Sequence, residues 1–133
     1  MNGMTIALVA AGGALGAVMR VVIQHLLGPL SEARGFAIGT LAANLLGCLA
    51  IGIVFGLLER IAAESLRENL NAFVVAGVLG ALTTYSTFAL DLLKQADAKG
   101  IAMAALYLGL SLVLGLALAA LGLRLSGASL SGV

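Results

Sequence analysis

The sequence predicts an all-α membrane protein, and three observations carry that prediction. Of its 133 residues 62% are hydrophobic and only 10% are charged, against about 25% charged in an ordinary soluble domain. Mean hydropathy is +1.16. The apolar residues gather in four stretches at positions 4–27, 36–58, 70–93 and 101–123, each near the roughly 20 residues a helix needs to cross hydrocarbon. A soluble domain of this length cannot hide so much apolar surface in one small core. A water-soluble enzyme is therefore nearly excluded. So are a disordered chain and, with a net charge of +1 and no basic cluster, a nucleic-acid binder.

Each element follows in order. The stretch 4–27 is too long for a signal peptide and lacks a basic leading region, so it reads as a mature helix. The connections GPLSEARG, ERIAAESLREN and KQADAKG are short and read as loops. Residues 1–125 form one four-helix transmembrane domain, and residues 126–133, small and polar, form a flexible tail. Cys48 is the single cysteine and lies in an apolar run, which removes disulfide frameworks and Cys-based metal sites. Gly12 and Gly16 make one GxxxG pair, Gly52 and Gly56 another. Such pairs let helix backbones approach closely in lipid.

The charges give no orientation. An even number of spans puts both ends on one side, with Arg60, Arg67 and Arg124. The other side holds Arg34, Lys94 and Lys99, three against three. The positive-inside rule then expresses no preference. Two readings stay open: the chain inserts both ways and pairs as an antiparallel dimer, or lipids, the insertion machinery or Arg20 decide. Four thin helices are few for enclosing a polar pathway, which favours a dimer.

Polar groups inside a span are expensive and mark function more often than elsewhere. Arg20, in the second half of the first span, either snorkels to an interface or draws an anion to a vestibule. His25 has no nearby histidine or acidic partner in sequence and reads as an interfacial side chain. Asn44 offers two donors and an acceptor, for an interhelical hydrogen bond or for a pore. The third stretch is the strongest signal. In GVLGALTTYSTFALD, Gly77 and Gly80 precede Thr83, Thr84, Ser86 and Thr87. Glycines before a hydroxyl cluster predict a broken helix, tolerated only inside protein or along a cavity. The alternative is a continuous helix whose hydroxyls bond back to the preceding turn. A break presents free carbonyls, which suit a cation such as Na⁺, and free N–H groups, which suit an anion. In an antiparallel dimer, carbonyls from both chains would hold one cation on the two-fold axis.

Tyr85 and Phe88 share a helix face, as do Tyr107 and Ser111 in the fourth span. Ring edges are electropositive and can face an anion. The hydroxyls of the second pair either extend a polar track or bond between helices. The first two spans hold no Asp or Glu, and Asp91 lies near the end of the third. No Ser-His-Asp or Cys-His set is available, so the chain is not read as an enzyme.

Three segments resemble the Fluc (CrcB-type) fluoride channels of bacteria: GGALGAVMR, GTLAANLLGCLAIG and GVLGALTTYSTF. The third is the specific one, and length and four-span layout match as well. The resemblance implies a fluoride-specific channel that passively exports fluoride across the inner membrane. It implies a dual-topology antiparallel homodimer with two pores, lying in lipid. It further implies a structural, untransported Na⁺ on the backbone carbonyls of Gly80 and Thr83. The family's pore asparagine falls on Asn44 and its hydroxyl track on Ser86, Thr87, Tyr107 and Ser111. Its arginine falls on Arg20 and its pore Phe pair on Tyr85 and Phe88. The usual TTFSTF is TTYSTF here, so Tyr85 adds a hydroxyl to a ring position. Ala43 and Ala81 are minor variations. A small proton-coupled multidrug exporter is the runner-up, and it expects an early-span carboxylate that this chain lacks. A non-transporting membrane assembly subunit is a third reading.

Overall fold

Asn2 starts the first helix: its backbone is extended and its side chain accepts from the Thr5 N–H at 2.8 Å, an N-cap that satisfies one orphan donor. The computed structural model describes residues 2–128, and among these there is no strand. Helix α1 spans Gly3–Leu26 and α2 spans Gly28–Arg34. The segment GPLSEARG is thus largely helical rather than the expected loop. Pro29 fits a first helical turn, where no N–H is needed, and Gly35 ends the helix at φ 56°, a left-handed position that favours glycine. Helix α3 spans Ile38–Leu58.

Helix α4, Glu64–Leu70, runs on through a π-helical stretch, Asn71–Leu79, into one α turn, α5, Gly80–Leu82. Helical bonding then stops. Thr83 (φ −84°, ψ 146°) and Thr84 (φ −145°, ψ 119°) are extended. Helix α6 follows over Tyr85–Lys99, and α7 over Ile101–Leu125 after Gly100 at φ 87°. The third apolar unit is longer than the expected 70–93, reaching from Glu64 to Lys99 over 36 residues. Its ends are helical because ESLREN and KQADAK are rich in good helix formers. Glu64 in the first turn of α4 and Lys99 in the last turn of α6 each suit the dipole of their own helix end. Of the tail, residues 126–128 form a turn in which Ser126 is buried and its carbonyl accepts from Arg60. Residues 129–133 lie outside the described ones.

Among the described residues four helical units are long and apolar enough to cross a membrane: Gly3–Leu26, Ile38–Leu58, Glu64–Lys99 and Ile101–Leu125. The chain is a multi-pass membrane protein. Many of its large apolar side chains, among them Leu26, Val113 and Leu116, are exposed. That surface is costly in water and ordinary in lipid. Small residues hold the helices together. A Cβ at Gly52 would overlap the Ala119 carbonyl, and one at Gly122 the Leu49 carbonyl, so α3 and α7 touch backbone to backbone. Gly12 and Gly16 meet the carbonyls of Phe73 and Val78 in the π-helical stretch in the same way. Gly77 closes that contact, its Cβ position 2.9 Å from Gly12 Cα. The small core of Ala43, Leu79 and Leu82 lies between α3 and the end of this helix.

Candidate functional site

The site is built around the extended pair Thr83–Thr84. The helix that ends at Leu82 leaves carbonyls without intrahelical partners. Thr83 turns back on one of them: its N–H and its Oγ1 both donate to the Leu79 carbonyl, at 3.0 and 2.9 Å. Arg20 reaches across from α1, and its Nε donates to the Ala81 carbonyl at 3.0 Å. The carbonyls of Gly80 and Thr83 take no part in these bonds.

Thr84 is held from α3. Its N–H donates to Asn44 Oδ1 at 2.9 Å, and Asn44 Nδ2 donates to its carbonyl at 3.4 Å. The asparagine amide therefore pairs with Thr84 as a neighbouring strand would. Gly47, one turn on from Asn44, leaves room for the Thr83 methyl, which a Cβ there would overlap. Residues three apart share a helix face, so one face of α3 both holds and accommodates the pair. Thr84 Oγ1 accepts from the Thr87 N–H at 3.2 Å and donates to Thr87 Oγ1 at 3.1 Å, which caps α6. Ser86 Oγ lies 3.3 Å from the same oxygen.

An aromatic series runs beside this cluster. Tyr85 and Phe88 are tilted with centroids 6.0 Å apart, Phe88 and Tyr107 are 5.4 Å apart, and Tyr107 meets Phe36 edge-on at 5.2 Å. Exposure falls from 82% at Tyr85 to 0% at Tyr107. The Tyr107 hydroxyl is buried without a hydrogen-bond partner among the described residues. One turn on, Ser111 Oγ donates to the Tyr107 carbonyl at 2.7 Å.

These groups border a groove of about 420 Å³. Of the residues singled out in the sequence, Asn44, Gly80, Thr83, Tyr85, Phe88 and Ser111 line it, together with Cys48. Ser86, Thr87 and Tyr107 contact lining residues instead. Arg20 approaches the same break from α1, while His25 is exposed in that helix's last turn. Two contributors were not picked out as site residues. Thr84 is the hub of the polar cluster, and a helix-capping threonine three residues before Thr87 was the available signal. Phe36 joins the ring series from before α3, and nothing in its local sequence marks it. Among the described residues no group of three His, Cys, Asp or Glu comes together as metal ligands.

Comparison with known proteins gives a consistent result. The family model described as CrcB-like protein, Camphor Resistance (CrcB), matches residues 7–123. A fluoride-specific ion channel FluC of Aeromonas salmonicida is 40% identical over 117 residues, 88% of this chain and 91% of that protein. Fluoride-specific ion channel FluC 1 of Staphylococcus aureus is 39% identical over 127 residues, covering 96% of this chain and 82% of the relative. The FluC of Pseudoalteromonas translucida is 42% identical over 119 residues, 89% and 96% of the two chains.

Proposed function

This chain belongs to the CrcB-like protein family, and from that premise we propose that it is a passive, fluoride-selective ion channel of the bacterial inner membrane. It lets fluoride leave the cell down its gradient and so lowers fluoride toxicity. The observation that carries the reading is the extended Thr83–Thr84 pair opening onto the groove beside Tyr85 and Phe88. Non-helical backbone at membrane depth is tolerated only where it is buried in protein or lines a cavity.

Fluoride is small and holds its water tightly, so a narrow pathway must replace that water with directed donors. Asn44 retains one N–H beyond its bond to Thr84. Ser86 and Thr87 offer hydroxyls, and Tyr85 and Phe88 offer electropositive ring edges. The unpartnered Tyr107 hydroxyl and Ser111 extend the series into α7. Arg20 brings positive charge to the approach. Chloride is larger and a weaker hydrogen-bond acceptor, so it gains too little to enter.

The working unit in this proposal is an antiparallel homodimer. Tyr85 is 82% exposed in a single chain, and the groove it borders is open on one side. A second copy would close that side. The carbonyls of Gly80 and Thr83 accept none of the hydrogen bonds described at the break, and hard backbone oxygens of an interrupted helix suit Na⁺. Two such pairs, one from each chain, would hold a structural Na⁺ that is not transported. When bound, that ion supplies positive charge in a low-dielectric interior and ties the two breaks together.

The test is efflux from liposomes containing purified protein, followed with a fluoride electrode, with chloride-loaded vesicles as control. Fast fluoride loss without chloride loss is expected. Folded protein in Na⁺ buffer that releases no fluoride refutes the channel reading.

A further inference from the structure

Arg20 is a charge in the second half of a membrane helix, half-buried, and its partner is a backbone carbonyl rather than a carboxylate. That carbonyl, Ala81, belongs to the last turn of the helix running from Glu64 to Leu82. The end of a helix carries about half a negative elementary charge, spread over its free carbonyls. Gly80 precedes Ala81 in that last turn, so one of the oxygens proposed for Na⁺ and the oxygen held by Arg20 belong to one pole, while Thr83, extended, lies just beyond it.

We infer that Arg20 is a positioning residue and a fixed counter-charge: it occupies the negative end of this helix, shares it with the sodium ion, and weakens that ion's binding by charge repulsion. The inference rests on the sodium reading above. In the proposed dimer the two helix ends carry about one negative charge between them and face three positive ones, two Arg20 and the ion, so each cation present lowers the attraction left for the others. With Arg20 in place the pole is never bare, and the extended pair Thr83–Thr84 keeps its anchor when Na⁺ is scarce. Without Arg20 the ion becomes the pole's sole cation.

The test uses the purified full chain as wild type, R20K and R20Q. Thermal unfolding in detergent is followed while NaCl replaces choline chloride at constant ionic strength. The wild-type midpoint is expected to rise with Na⁺. In R20Q the half-saturating Na⁺ concentration should fall about tenfold, the equivalent of about 1.4 kcal/mol of relieved repulsion. R20K keeps the charge and should follow the wild-type curve. Equal half-saturation in R20Q and wild type overturns the inference. So does a common shift of R20K and R20Q, which would assign the effect to guanidinium geometry rather than charge. R20Q that fails to fold in saturating Na⁺ while R20K folds also overturns it, because the ion then cannot stand in for Arg20. A wild type with no Na⁺ response removes the sodium reading itself and this inference with it. That outcome is visible in the wild-type arm alone.

Discussion

Where α3 crosses α7, Gly52 and Gly122 bring two backbones into direct contact with no side chain between them. Where α3 passes the end of α5, Asn44 does the opposite. A side chain is added, and it stands in for the missing strand partner of Thr84. Both regions use the same helix, about two turns apart. At the crossing, stability comes from dispersion and close approach, which any bulk destroys. At the break it comes from satisfying backbone polar groups that lipid would leave bare. The first region is therefore sensitive to size and the second to hydrogen-bonding capacity.

Substitutions can separate these two sensitivities. The largest effect is expected for Gly122→Val, whose side chain has only the Leu49 carbonyl and the Ile53 N–H to displace. The midpoint of thermal unfolding in detergent should drop by the equivalent of about 3 kcal/mol or more. An unchanged midpoint would mean that the crossing is not a tight contact. Asn44→Ala comes next. It strips Thr84 of both partners and should cost about 1–3 kcal/mol, with fluoride efflux from liposomes falling at least about tenfold. Asn44→Asp keeps the acceptor for the Thr84 N–H and should recover more stability than flux. If both variants lost stability equally, the amide oxygen would not be the anchor.

Phe88→Ile sharpens the comparison from the side of the rings. The side chain is half-buried, so stability should fall by about 1 kcal/mol, while fluoride efflux should fall far more. Equal efflux with an intact fold would remove the ring from the pathway. Smallest of all, Gly109→Ala meets nothing within 4 Å among the described residues. Its unfolding midpoint should move by less than the equivalent of about 1 kcal/mol. A large loss there would place Gly109 against a second copy, and so locate the interface.

Much of this was legible in the sequence, for a physical reason. Lipid makes apolar length compulsory, so the four membrane units stand out. It also makes buried polar residues rare, so Asn44 and the run from Thr83 to Thr87 stand out too. What was illegible depends on partners far apart in the chain. Thr84 is one hydroxyl among four until Asn44, 40 residues earlier, selects it. Arg20 and Ala81 are 61 residues apart, and neither announces the other. The π-helical stretch Asn71–Leu79 packs its carbonyls against Gly12 and Gly16, far earlier in the chain, and has no local sequence mark. Polar composition alone predicts loops for helix α2 and for the ends of the third unit. Beyond Gly28 and Pro29, which fit a first helical turn, these segments are rich in helix formers that lie past the apolar run.

The backbone contact between Gly52 and Gly122 also constrains how this chain can change over generations. In most cores an enlarged residue can be accommodated by shrinking its neighbour. Here each neighbour is already glycine or main chain, and nothing smaller exists to substitute. No second mutation can repair the first, so the two positions form a dead end for stepwise drift. Open positions such as Gly13 and Gly109, where an added methyl meets no atom of the described residues, carry no such constraint.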